Sequence, residues 1–151
     1  MKKALLFFTA ALVLCTTAFA FAATDDAAKA EALVKKGVAF YKSAGEDKAL
    51  EEFSNKTGQF VDGEYYLFMV DFSGIVVAQG NNTALIGKNM KDLKDTDGKL
   101  FIQAMIDTAK TKGAGWVDYK WKNPKTGEVM TKSSYVEKLG DTFLGCGIYK
   151  K

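Results

Sequence analysis

The sequence predicts an α+β domain in which a five-stranded antiparallel sheet is flanked by helices. Three observations carry that expectation. Apolar residues recur at i, i+3 and i+4 in the N-terminal third, the period of amphipathic helices. Short runs rich in aromatic and aliphatic residues, bounded by glycine-containing turns, read as strands joined in hairpins. The resulting order, helix, helix, strand, strand, helix, strand, strand, strand, suits one antiparallel sheet with helices packed on it. The 151 residues allow one domain, and 48% hydrophobic with 26% charged residues is the balance of a folded chain. A single proline and the lack of Ser/Gly/Pro-rich runs argue against an interdomain linker, and no internal repeat is evident.

Residues 1–23 read as a signal peptide. Lys2 and Lys3 form a positive start, residues 4–18 an apolar stretch, and Ala18-Phe19-Ala20 or Ala20-Phe21-Ala22 a small-x-small cleavage site. The alternative is an uncleaved anchor helix, since about 20 apolar residues span a bilayer. Cys15 would be a lipidation site but for Leu14, which stands where a small residue is usual. The mature domain is then residues 24–151, exported to a bacterial periplasm. Thr24 suits a helix N-cap, with Asp25 and Asp26 behind it favoured by the helix dipole. Ala30, Leu33, Val34, Val38 and Tyr41 form the buried stripe of about five turns, ended by Ser43-Ala44-Gly45. A shorter helix follows, with Ala49, Leu50 and Phe53 on one face.

Residues 65–71 and 75–79 form a predicted hairpin around Phe72-Ser73-Gly74. A polar loop runs from Gly80 to Asp95, and Asp97 is placed to cap a helix whose stripe is Phe101, Ala104, Met105 and Thr108. Gly113 stops it. Three strands complete the chain, at residues 114–122, 129–138 and 142–149. Asn123-Pro124-Lys125-Thr126-Gly127 joins the first two, and Leu139-Gly140-Asp141 the last two.

Composition excludes much chemistry. All 21 basic residues are lysines and there is no histidine, so an anion must meet an ammonium, a hydroxyl, an indole N–H or the backbone. No Ser/His or Cys/His pair can be built, and there is no arginine clamp or glycine-rich phosphate loop. The expectation is a binding protein rather than an enzyme, with no cofactor. Without Lys2 and Lys3 the balance is 19 lysines against 18 acids, and no basic block singles out nucleic acid as a partner. Cys146 is then the only cysteine, which leaves no internal disulfide or cysteine-rich metal site. Asp92, Asp95 and Asp97 have the alternating spacing of a calcium loop, but the glycine falls at Gly98 and no glutamate follows at the right distance.

The segment Gly113 to Tyr135 carries most of the functional signal, with both tryptophans and several lysines among aromatics. Strand alternation points Val117, Tyr119 and Trp121 one way and Trp116, Asp118, Lys120 and Lys122 the other. On the next strand Met130, Lys132 and Ser134 share a face, and Tyr135 lies opposite unless a bulge intervenes. A lysine buried among Tyr119 and Trp121 would be costly without an anion. The alternative is a surface lysine snorkelling past aromatics.

GWVDYKWKNPKTGE, KSSYVE and GCGIY over residues 113–149 resemble the single Cache family, the extracytoplasmic PAS-like sensor domains of bacteria. The runs YYLFMVD with Gly74, AQG, LIGKN and KDTDGK agree in order, and the resemblance covers essentially the whole mature chain. Gln79 is a departure, since histidine is frequent there in the family. The resemblance implies a long N-terminal helix packed on a five-stranded antiparallel sheet, and a pocket on the sheet's other side. It implies short carboxylates as ligands, such as acetate, propionate, lactate or pyruvate. Carried over by position, Tyr66 and Phe68 form the pocket floor, Trp116, Tyr119 and Trp121 the walls and donors, Lys132 the carboxylate's partner, and Tyr135 a further donor. Family members are usually ectodomains of chemoreceptors or kinases, followed by a membrane helix, whereas this sequence stops at Lys151. A free binding protein reporting to a membrane sensor kinase or chemoreceptor is therefore expected. The alternative is an interaction module with a vestigial pocket, filled by Trp121 and Met130, that docks on such a protein.

Overall fold

The computed structural model describes residues 25–150, so the expected signal peptide and the cap at Thr24 lie outside the described residues. Helix α1 (Asp25–Ala44) buries Ala30, Val34, Gly37 and Val38 along one stripe, as the sequence period requires. The Tyr65 hydroxyl donates to Asp26 at 2.6 Å and ties the start of this helix to the sheet. Gly37 lets α1 lie close. A Cβ there would sit 2.6 Å from Leu67 Cδ1 and 2.7 Å from Leu144 Cδ2. Gly45, at φ 87°, breaks the helix, and α2 (Glu46–Phe53) follows at once. Phe53 and Phe60 are fully buried edge-to-face at 5.0 Å, and Phe40 meets Phe60 at 5.4 Å.

The strands are β1 (Val61–Asp62), β2 (Tyr65–Asp71), β3 (Val76–Gln79), β4 (Ala114–Lys122), β5 (Val129–Leu139) and β6 (Thr142–Tyr149). All pairs are antiparallel, in the path β1-β2-β6-β5-β4, with β3 also on β2. Six strands fill five positions. The Leu67 N–H donates to Phe60 and the Leu67 carbonyl accepts from Gly80. Both groups of one antiparallel residue point to the same side, so β1 and β3 share one edge of β2. Two residues are too few to show a period, and β1 is accordingly invisible in the sequence.

Helix α3 (Phe101–Lys112) and the loop before it cover the face opposite α1 and α2. Its buried stripe is Phe101, Ile102, Met105, Ile106 and Ala109, rotated from the expected one so that Ala104 and Thr108 are half-buried. Asp97 does not cap it. Leu100 holds that position without a side-chain bond. Asp95 instead accepts the N–H groups of Asp97 and Lys99 through Oδ1 and that of Lys120 on β4 through Oδ2, each at 2.9 Å. These bonds, that from Lys120 foremost, hold its carboxyl below the usual range. The aspartate that closes the local turn is thus spent on the sheet edge, and the helix begins after it. Phe53→Ala should lower stability by about 3–5 kcal/mol in urea unfolding, because its fully buried ring would leave a cavity between α1 and the sheet. A loss below about 1 kcal/mol would show that this aromatic cluster is not a core.

Candidate ligand-binding site

On the α3 side of the sheet, β4 and β5 pair Val117 with Ser134, Tyr119 with Lys132 and Trp121 with Met130. Across the other edge of β5, Lys132 faces Tyr149 and Ser134 faces Gly147. Strand β6 presents Gly145 and Gly147 to this face, and their missing side chains shape the site. A Cβ on Gly145 would lie 2.6 Å from Phe68 Cζ, and one on Gly147 would overlap Lys132 Cε and Ser134 Oγ. The Lys132 stem therefore crosses β6 through the space over Gly147 and reaches β2. There its ammonium donates to the Tyr66 hydroxyl at 2.7 Å, and lies 4.3 Å from the centre of the Tyr66 ring and 4.9 Å from that of Tyr149.

Lys132 is only 1% exposed. The ion pairs formed among the described residues, Lys35–Glu31 and Lys150–Asp118, lie on the surface, and the groups that meet the Lys132 ammonium directly are a phenol and two aromatic faces. Burial pushes its pKa down from 10.5 to about 8, against a partial upward pull from Cys146 and Glu64. Burial also raises Tyr66 and Tyr119 well above 10, and Cys146, on the other face of β6, to about 11. At neutral pH the site thus holds one ammonium and neutral hydroxyls. Tyr119 and Ser134 hydrogen-bond each other at 3.0 Å.

The ammonium opens on a cavity of about 30 Å³, measured as space for the centre of a water-sized sphere. One water needs roughly 10–15 Å³ by that measure, so a molecule of a few heavy atoms fits. Its lining combines Tyr66, Phe68, Gln79, Tyr119, Trp121 and Lys132 with the apolar Val70, Val76, Leu85, Met90, Phe101, Ile102 and Met105. Phe101 stacks flat on Tyr119, with centroids 4.7 Å apart and planes within 5°, and fixes that wall.

Of the seven residues singled out in the sequence, the fold brings Tyr66, Phe68, Tyr119, Trp121 and Lys132 together here. Trp116 and Tyr135 are placed on the opposite face, paired with each other across β4 and β5 with ring centroids 5.5 Å apart. Pairing is unbroken from Ala114↔Glu137 to Lys122↔Val129, so no bulge turns Tyr135 around. Met130 is not among the lining residues, and its sulfur lies 3.5 Å from Asn123 Nδ2. Sequence reasoning missed Gly145, Gly147 and Tyr149. The signal was available, since glycines two apart in a strand leave one face bare.

The lowered pKa has a sign. Between about pH 8 and 10.5 the unfolded chain holds more protons on Lys132 than the folded one, so this group makes stability rise with pH there. Tyrosines and Cys146 act oppositely, and the Lys132→Met variant supplies the baseline. Relative to that variant, the wild type should gain about 2–4 kcal/mol of unfolding free energy across the window. A constant difference would contradict a buried ammonium.

The sequence pattern of the family described as single Cache domain 2 matches residues 29–151. A sensor histidine kinase of Rhizobium johnstonii, MctS, is 36% identical over 86 residues, which are 56% of this chain and 18% of that protein. The methyl-accepting chemotaxis protein McpP of Pseudomonas putida is 27% identical over 90 residues, 58% of this chain and 16% of that protein. This chain thus spans less than a fifth of the curated relatives it matches. Among solved structures, a methyl-accepting chemotaxis protein of Vibrio parahaemolyticus superposes with a TM-score of 0.70 at 28% identity, over 81% of this chain and 86% of that one. A Cache chemosensory domain described for carboxylic acid recognition superposes at 0.65 with 26% identity, over 82% and 88%. Among the described residues no helix is long and apolar enough to cross a membrane. By sequence and by fold, the chain belongs to the single Cache domain 2 family, and is a sensor domain like those of chemoreceptors and histidine kinases.

Proposed function

We propose that this protein is a non-catalytic, periplasmic receptor for a short monocarboxylate, and that it reports to a membrane sensor kinase or chemoreceptor. The observation that carries the reading is Lys132, an ammonium buried in an aromatic cavity with Tyr66 as its hydrogen-bond partner. An ammonium has three donors, and a carboxylate is the group that best offsets its desolvation. Lysine presents a point charge, so one carboxylate oxygen takes Nζ and the other falls to Tyr66 or Tyr119. The recognition of carboxylic acids described for a structural neighbour at 26% identity supports the ligand class. The kinase and chemotaxis relatives support the kind of partner.

Size limits affinity. At about −1.5 kcal/mol per heavy atom, a five-atom acid such as propionate reaches about −7.5 kcal/mol, a low-micromolar Kd. A thermal-shift and calorimetric screen of two- to four-carbon acids, amino acids, amines and purines tests the class. Acids should bind; binding of amines or purines alone would overturn the reading. Lys132→Ala should abolish acid binding in a protein that still folds, and Lys132→Arg should weaken it, because a planar guanidinium does not fit the slot over Gly147. Propionate affinity should fall about tenfold from pH 7 to pH 9, as Lys132 loses its proton with a pKa near 8. Affinity unchanged in both variants would move the site elsewhere.

A further inference from the structure

We infer that Glu64 is a positioning residue for the anion: held near Lys132 by Asn123 without pairing with the ammonium, it supports the buried charge from a distance and leaves its donors to the ligand. This rests on the reading of the cavity as a carboxylate pocket.

Gly63 and Glu64 form the two-residue turn between β1 and β2, with Asp62 paired to Tyr65 and Gly63 at φ 60°. Only Tyr65 stands between Glu64 and Tyr66, the phenol bonded to Lys132 Nζ. The end of β4 closes over the same place. Tyr149, whose ring centre lies 4.9 Å from Nζ, donates its hydroxyl to the Lys122 carbonyl at 3.1 Å. The next residue, Asn123, is only 2% exposed and donates through Nδ2 to Glu64 Oε1 at 2.7 Å. Its Oδ1 accepts the Lys125 N–H at 2.8 Å, which fixes the amide with Nδ2 toward Glu64.

Glu64 is thus half-buried close to the ammonium, yet it forms no ion pair among the described residues. An acid set directly on Lys132 would occupy the donors that a ligand needs. With no acid nearby, burial would drive the ammonium further toward its neutral form. Glu64 holds the position between these extremes, and its field pulls the Lys132 pKa upward. The other titratable groups around Lys132 are Tyr66 on β2, Tyr119 on β4, and Cys146 and Tyr149 on β6. Burial raises all four, so they are neutral at pH 7 and Glu64 is the carboxylate that acts on the site. To the cavity lining, β3 and α3 add no titratable side chain. A ligand carboxylate on the ammonium meets the same field with the opposite sign. The interaction that supports the empty site therefore opposes the acid that fills it.

Glu64→Gln tests this, because the amide oxygen keeps the bond from Asn123 and only the charge is lost. Glu64→Asp is the conservative control that restores the charge. The readouts are the midpoint of the Lys132 ε-carbon titration by NMR, and propionate affinity by calorimetry at pH 6.5, where the ammonium keeps its proton. In Glu64→Gln the midpoint should fall by about half a unit and propionate should bind about threefold tighter. Glu64→Asp should return both at least halfway to the wild-type values. Either quantity unmoved in Glu64→Gln, with acid binding intact in wild type, would overturn the inference alone, as would equal effects in the two variants. Failure of every acid on wild type would overturn the carboxylate reading and this inference with it.

Discussion

A lysine ammonium held out of water inside an aromatic pocket is the constraint around which this domain is arranged. The fall in its pKa from 10.5 to about 8 corresponds to about 3 kcal/mol by which the folded site disfavours the charged form. The surroundings limit that cost without removing it. Tyr66 supplies one hydrogen bond, and the faces of Tyr66 and Tyr149 supply negative quadrupole density. The result is an ammonium that stays charged at neutral pH and still gains from an anion. A chain with lysine as its only cationic residue type has no planar fork to offer, and the site follows from that choice.

Holding the charge in place determines much else. Lys132 leaves β5 and must cross β6 to reach β2, which is why β6 carries Gly147 there and Gly145 beneath the Phe68 ring. The same strand presents Leu144 and Cys146 to the α1 face, fully buried in an apolar core. One face of the sheet therefore supplies cohesion through α1 and α2, while the other keeps a cavity under α3. The stacked pair Phe101 and Tyr119 and the Asp95 bond to Lys120 fasten the α3 layer to β4 beside that cavity.

Strand alternation made most of the site legible in the sequence. It placed Tyr119, Trp121 and Lys132 on one face, and the register Tyr119↔Lys132 agrees. It also set Tyr135 on the opposite face, against the role that family resemblance implied, and the unbroken β4–β5 ladder keeps it there beside Trp116. Tertiary context decided the rest. Asp97 reads as a helix cap, but Asp95 has three N–H donors that no local pattern reveals, one of them 25 residues away on β4. Strand β1 exists only because β2 offers it an edge. The apolar lining of the cavity combines residues from β2, β3, the following loop and α3, a convergence that single-sequence periodicity does not encode.

The most direct test of the central claim is to follow the Lys132 side chain itself by NMR, through the titration of its ε-carbon with and without saturating propionate. The unliganded midpoint should lie near pH 8. Propionate should raise it by at least about one unit, because an anion that binds the ammonium must by reciprocity hold its proton. A midpoint near that of a free lysine, or one that propionate leaves unmoved, would contradict the account.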